Sequence, residues 1–469
     1  MKKHTKIIAT IGPASSSALV LEKMMRAGMD AARLNCSHGT HDEHTQSIAL
    51  IRQAERKVGR PIAIHADLGG PKIRTGVIPG GTPIDLRQGA EVVFAPEGQA
   101  RGREIPVTYA KLASDVRRGE RILIDDGKIS VEVLKTSAGK VVARVIDGGP
   151  LRDHKGINLP GTSLSTSAIT KKDELDLKFA LRAGVDSIGV SFVQGAADIT
   201  RVRTLMKRFG RIVPIVAKIE RGIAVTRLDE IIAETDAVMV ARGDLGVETP
   251  IEEVPILQKR IIAACAVARR PVIVATQMLE SMIKDMRPTR AEVTDVSNAV
   301  FEGADAVMLS AETSVGCDPA NAVETMARIV EASEVSDYLP HRDYVPEDSE
   351  RTVAMATARA ACFAAEEACA RAILVFTMTG RSARMVSSQR PCVDIAAITS
   401  SDDIARRTAF YWGVTPVKIR AWRSIDSMIE AGVAAMKARK LLKPGDAIVT
   451  VCGTATVAGA TNMIKVLRV

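Results

Sequence analysis

Residues Ile215–Ile223 read IVAKIERGI. An apolar, β-branched run of this kind, preceded by IVP from Ile212, predicts a buried strand. Its end places an ammonium and a carboxylate, Lys218 and Glu220, two residues apart. Side chains two apart on a strand share a face, so one face of an apolar strand must end in a lysine–glutamate pair. The same kind of run recurs as KIIATI from Lys6, AARLN from Ala31, IAIHADL from Ile62 and SIGVSF from Ser187. It returns as AVMVAR from Ala237, VIVATQ from Val272 and AVMLSAE from Ala306. Helical patterns such as SALVLEKMMRAG, DELDLKFALRAG and ILQKRIIAACAVARR separate most of these runs. Eight strand-then-helix units predict an α/β fold, a closed parallel (β/α)8 TIM barrel with its helices outside.

One connection breaks the rhythm. Between Leu68 and about Ser163 the text changes to GAEVVFA, RILIDDGKISVEVL and KVVARVIDGG, alternating strands with Gly- and Asp-rich turns and no convincing helix. This predicts a small all-β barrel domain inserted after the third barrel strand, over the barrel mouth. After the eighth unit a Pro- and charge-rich linker, SDYLPHRDYVPEDSE, leads to AILVFTMTG, DIAAITS, TPVKI and DAIVTVCG, separated by helical patterns. A C-terminal α/β domain is expected there. The expected division is 1–68 and 164–344 for the barrel, 69–163 for the inserted lid and 345–469 for the C-terminal regulatory domain.

The chain has 469 residues, 46% of them hydrophobic and 25% charged, ordinary for a water-soluble protein of several domains. No apolar run approaches the roughly 20 residues that a membrane helix needs. Gly12 and Pro13 interrupt the first apolar run too early for a signal peptide. The seven cysteines form no CxxC pair, so free thiols in a reducing cytoplasm are expected. The net charge of +9 favours anionic partners. Aromatics make up only 3% and do not interleave with basic clusters, so phosphorylated small molecules are expected rather than nucleic acid.

Active sites of such barrels lie at the carboxyl ends of the strands. Arg33, Asn35, Ser37, Asp67, Lys218, Glu220, Arg242, Asp244, Thr276, Ser310 and Glu312 all fall at those ends. Any one of them alone is more simply a satisfied structural group, but their gathering at one end is hard to explain by packing. Glu220 and Asp244 are hard oxygen ligands of the kind that hold magnesium together with waters and substrate. Arg33, Arg74 and Lys218 suit a phosphoryl group, whose transfer needs mainly positioning and charge neutralisation. ARGDLGVE adds backbone N–H groups near Gly243, suited to a carboxylate or phosphate.

Seven segments in order, TKIIATIGPAS, RLNCSHGTH, GPKIRTG, VAKIE, MVARGDLGVE, ATQMLESM and LSAET, resemble the signature segments of the pyruvate kinase family. The resemblance covers nearly the whole chain. It implies phosphoryl transfer from phosphoenolpyruvate to ADP, giving pyruvate and ATP in the last step of glycolysis. It implies that Lys218 stabilises the transferring phosphoryl and the enolate, and that Glu220 and Asp244 bind Mg2+, with Mn2+ as an alternative. Arg33 would grip the substrate phosphate, and Gly243, Asp244 and Thr276 its carboxylate end. Arg74 and Lys155 would bind nucleotide phosphates, while Thr276, Ser310 and Glu312 are the candidates for the proton path to the enolate carbon. The lid would close over the site and suppress hydrolysis, with KGINLPG from Lys155 as its return hinge, set by Pro160 and Gly161. A cytoplasmic homotetramer is the family expectation.

The chain departs from one pattern. Potassium-requiring members carry glutamate where this chain has Lys72, and commonly threonine where it has Leu68. The other family ligands for potassium, Asn35, Ser37 and Asp67, are present. A tethered ammonium can supply the charge of a bound K+ and would repel that ion at a few ångströms, so activity without K+ is expected. The plainer alternative is a solvated loop lysine.

FTMTGRSAR, from Phe376, runs from a strand into a helix start and resembles the family's phosphate loop for an allosteric ligand, through Thr377, Thr379, Arg381 and Ser382. The facing CGTATVAGATN lacks the arginine of some fructose-bisphosphate-activated members, so a sugar-phosphate or nucleotide effector stays open, as does a simply well-capped helix. His38, His41 and His44 read as a helix cap and surface group rather than a metal cluster. HRD at His341–Asp343 mimics a protein-kinase loop, but Asp348 stands where Asn is needed and no DFG follows. Two other classes compete: a magnesium-dependent carbon–carbon lyase on a similar barrel, and a binding protein that exploits the basic charge.

Overall fold

The computed structural model describes residues 3–78, 82–162, 164–338, 352–420, 424–453 and 461–469. The HRD tripeptide, most of the expected linker and the centre of CGTATVAGATN lie outside the described residues. Eight parallel strands close into a barrel: β1 (Lys6–Thr10), β2 (Ala31–Asn35), β3 (Ala63–Asp67), β4 (Ser187–Val190), β5 (Ile215–Ile219), β6 (Ala237–Ala241), β7 (Val272–Ala275) and β8 (Ala306–Leu309). Neighbours pair in sequence order and β8 pairs back to β1.

The local sequence explains both layers. Barrel strands are covered on both faces, so they read as continuous apolar runs, and β1, β3 and β5 are buried at every position. Three outer helices, His41–Val58, Lys171–Arg182 and Arg290–Phe301, start at a threonine in a reciprocal capping box, with Glu43, Asp173 and Glu292 as the returning acids. Each such cap stabilises by about 1 kcal/mol. Inside the barrel, Ile8, Ala31, Ala63, Val216, Met239, Ile273 and Met308 pack together, and Ala409 and Phe410 of the C-terminal domain close the floor beneath them.

The inserted domain holds a seven-stranded sheet whose first and last strands meet through a Thr75–Val107 bridge, and a two-stranded one that pairs Ile84–Leu86 with Gly149–Leu151, over a shared apolar core. One short helix, Leu112–Asp115, interrupts the expected all-β text. The chain returns through Leu159–Thr162, where Gly161 takes φ 74°, a left-handed conformation that glycine adopts without strain. The C-terminal domain carries β9 (Ala372–Phe376), β10 (Asp394–Thr399), β11 (Val414–Lys418), β12 (Ala447–Gly453) and β13 (Thr461–Arg468), in the order β11-β10-β9-β12-β13. All are parallel except the edge strand β13, which sequence reading missed. Lys6 Nζ donates to Val414 O at 2.7 Å, and Arg406 pairs with Glu55 at 3.0 Å, tying this domain to the barrel.

Candidate active site

The inward face of β5 answers the question its sequence raises. Lys218 Nζ lies 2.7 Å from Glu220 Oε1 and 3.3 Å from Asp67 Oδ2, and donates to Ser191 Oγ at 2.8 Å. Arg33, reaching in from β2, donates to the same Asp67 Oδ2 from Nε at 2.8 Å and from Nη2 at 2.6 Å, and to Thr10 Oγ1 at 3.1 Å. Two cations therefore hang on one carboxylate oxygen at the mouth of the barrel. Glu220 Oε2 also accepts the Phe192 N–H at 2.6 Å, so this acid is fixed from two sides.

The charges hold Asp67 and Lys218 ionised. Burial alone would push the Asp67 carboxyl up, but the Lys218 and Arg33 charges outweigh it and hold the group well below the usual carboxylate range. Burial would likewise push the Lys218 ammonium down, and Asp67 and Glu220 more than reverse that. Glu220 is pushed up by burial first, with Lys218 opposing and the Asp244 charge adding to the rise. Glu220 thus feels Asp244 as a like charge, a repulsion that a divalent cation between them would relieve. Two hard-oxygen acids fit magnesium as partial ligands. No cluster of three or more metal-binding acids, histidines or cysteines occurs among the described residues.

Asp244 stands in the first turn of the helix Arg242–Glu248, directly after β6, and Lys72 Nζ lies 3.8 Å from its Oδ1. Lys72 thus comes to the β6 acid, while Asp67 is taken by Lys218 and Arg33. Asn35 Oδ1 accepts the Ser37 N–H at 3.2 Å, and Leu68 is buried with its carbonyl accepting from Ser191 Oγ at 2.7 Å. Thr276 follows β7 with φ 71°, a strained backbone for a branched residue. Arg242 Nη2 pins the Thr276 carbonyl at 2.6 Å, and the Gly243 N–H donates to Thr276 Oγ1 at 2.8 Å. That N–H is already engaged, so a substrate carboxylate would meet the pair rather than a free donor. Glu312 is buried and accepts from the N–H groups of Ser310 at 2.7 Å and Leu279 at 3.1 Å, which makes it a brace between the loops after β7 and β8. Burial pushes its carboxyl up, with those N–H groups opposing.

Arg74 and Lys155 belong to the lid and contact lid groups. Arg74 Nη1 is 3.5 Å from His154 O, and Lys155 Nζ is 2.8 Å from Asp125 Oδ1. The loop Thr377–Ser382 is tied by Gly380 N–H to Thr377 Oγ1 at 2.9 Å, Arg381 N–H to Thr379 Oγ1 at 3.4 Å, and Ser382 Oγ with Thr461 Oγ1 at 2.6 Å. His41 stacks on Phe179 and lies 2.8 Å from Asp176, and His44 is 3.0 Å from His38 O, both on the outer wall. All seven cysteines are free thiols.

Sequence reading missed Thr10, Ser191 and Arg221. Ser191 closes the SIGVSF run, and its position at a strand end was the available signal. Arg221 directly follows Glu220 and is buried. It reaches the lid return at Thr162 O (2.6 Å) and Leu159 O (3.4 Å) and pairs with Glu248 at 3.5 Å. Glu248 in turn accepts from Asn158 Nδ2 at 3.3 Å.

The family model "Pyruvate kinase, barrel domain" matches residues 2–323, and "Pyruvate kinase, alpha/beta domain" matches 355–467. The pyruvate kinase of Geobacillus stearothermophilus is 43% identical over 474 residues, covering 99% of this chain and 80% of its own. Those of Corynebacterium glutamicum and Mycobacterium tuberculosis are 42% and 41% identical, covering 99% and 100% of this chain and 98% and 99% of theirs. With the barrel and the α/β domain matched in order and these relatives aligned over 99% or more of this chain, this protein belongs to the pyruvate kinase family and is a phosphotransferase.

Proposed function

We propose that the protein transfers the phosphoryl group of phosphoenolpyruvate to ADP, giving pyruvate and ATP, with Mg2+ and without a requirement for K+. The observation that carries the reading is the shared carboxylate at the barrel mouth, where Arg33 and Lys218 are both fixed on Asp67 and Lys218 also meets Glu220. A phosphoryl group entering beside these cations has its equatorial charge neutralised by groups already in place, which is what this transfer needs. Arg33 holds the substrate phosphate, and Lys218 offsets charge on the moving phosphoryl and on the enolate oxygen left behind. Glu220 and Asp244 hold Mg2+, which when bound supplies further charge neutralisation. Gly243 and Thr276 orient the carboxylate end, and Thr276, Ser310 and Glu312 line the route of the proton to the enolate carbon.

Arg74 and Lys155 meet the nucleotide phosphates as the lid closes, and Arg221 anchors the lid return. Lys72 replaces K+ by a fixed charge at the barrel mouth, with Asp244 rather than a family potassium ligand as its nearest acid. The loop Thr377–Ser382 takes the phosphate of an effector, and the working form is a homotetramer, as the family resemblance implies. Purified protein with phosphoenolpyruvate, ADP and Mg2+, coupled to NADH oxidation through lactate dehydrogenase, should form pyruvate. Absence of ADP-dependent pyruvate would overturn the proposal.

A further inference from the structure

Beneath the catalytic cations the lumen holds a polar unit that the proposed reaction leaves unused. His65 stands two residues before Asp67 on β3, on the same inward face, and is fully buried. Its Nδ1 lies 2.9 Å from Ser187 Oγ on β4, and its Nε2 has no hydrogen-bond partner. Asp67 gives Oδ2 to Arg33 and Lys218, while its buried Oδ1 also has no partner. The two orphaned atoms face one spot. Gly189 of β4 is the register partner of Asp67. A Cβ on Gly189 would lie 2.6 Å from Asp67 Oδ1 and 2.8 Å from His65 Nε2. The two orphaned atoms therefore lie no more than about 5.4 Å apart, a span one water can bridge, and both press close on the Gly189 backbone, where a side chain would not fit.

Buried polar atoms are as a rule partnered by protein or by ordered water, and a polar recess with several partners is where a buried water is kept. We propose that a buried water bridges His65 Nε2 to Asp67 Oδ1, making His65 a positioning residue for the carboxylate that carries Arg33 and Lys218. Hydrogen-bond chemistry fixes one end of the chain. The ionised Asp67 only accepts, so the water donates to it. In the proposed arrangement the neutral ring accepts from Ser187 O–H at Nδ1 and donates from Nε2–H to the water, which donates to Oδ1. Held at both oxygens, the carboxylate cannot swing Oδ2 away from the two cations. The functional consequence rests on the proposed reaction; the water and the tautomer do not.

Three measurements test it on the full-length protein. A crystal structure at high resolution should show solvent density within hydrogen-bond distance of both atoms, and long-range 15N–1H spectra should show His65 as the Nε2–H tautomer. His65→Leu should raise KM for phosphoenolpyruvate and lower kcat, each about tenfold, as loss of outer support for a charged site does. His65→Gln, which keeps a donor on the ring's side, should recover most of both. A dry lumen, an Nδ1–H tautomer, or a His65→Leu enzyme with unchanged KM and kcat would overturn the inference. So would a kcat loss that tracks the unfolded fraction while KM stays at the wild-type value. If the wild type lacks the proposed turnover, density and tautomer still decide the matter.

Discussion

Replacing Lys72 by methionine removes a charge and keeps an unbranched stem. The ammonium lies 3.8 Å from Asp244 Oδ1, with the two side chains 39% and 28% exposed. Coulomb attraction at such a separation is about 1 kcal/mol in bulk water and about 4 kcal/mol at an effective dielectric near 20. Both groups are partly wet, so about 1–2 kcal/mol survives screening. A cation that stands in for K+ at the barrel mouth offsets transition-state charge by a similar amount, so its loss should cost roughly 5- to 30-fold in kcat/KM for phosphoenolpyruvate. The assay is the coupled reaction at constant ionic strength in sodium, tetramethylammonium and potassium chlorides. Wild type should be nearly indifferent to the cation. Lys72→Met should lose activity in the first two salts and regain it in potassium, because Asn35, Ser37 and Asp67 remain. Its half-saturating Mg2+ should also fall, since Asp244 no longer has a competing cation. Near-total loss of wild-type activity without potassium, or a Lys72→Met enzyme that ignores the salt, would refute the reasoning.

Glu220→Gln should raise the half-saturating Mg2+ concentration about tenfold or more and lower kcat by about 10²–10³, the scale seen when one preorganised charge is removed; a Mg2+ titration reads both. Asp67 has its carboxyl held below the unfolded range of about 3.9, so its stabilisation is complete above about pH 5 and is lost as the pH falls below about 4. Urea unfolding from pH 7 to pH 3 should show this loss in wild type. Asp67→Asn should be less stable by about 3 kcal/mol at pH 7 and show a flatter profile; parallel profiles would count against the charge cluster. Arg221→Ala strips the buried partner from Glu248 and the clamp from Thr162, and should cost about 3 kcal/mol. It should also speed hydrogen exchange across the lid strands between residues 73 and 158, and unchanged lid exchange would contradict the anchoring role.

The barrel was readable because parallel strands covered on both faces cannot hide their composition, and β1, β3 and β5 are buried throughout. β13 escaped because TNMIKVLR is an edge strand whose polar residues face outward, so its alternation is broken. The helix Leu112–Asp115 is a single turn, too short for any periodic signal. The Lys218–Glu220 pair followed from a period of two within one strand. Asp67, Ser191 and Thr10 meet those groups from other strands, and that meeting depends on register, which single-strand patterns do not contain. Arg221 was in plain view, but its partners lie in the lid return and the helix after β6. Lys72 was singled out by its departure from a family pattern, and only the fold places it beside Asp244.

The most direct test is steady-state kinetics of Lys218→Met, with near-UV circular dichroism to establish that the barrel is intact. Loss of the ammonium that joins Asp67 to Glu220 should lower kcat by about 10³ or more while KM for phosphoenolpyruvate changes only a few-fold, since Arg33 still grips the phosphate. A folded Lys218→Met protein that turns over at the wild-type rate would contradict the account.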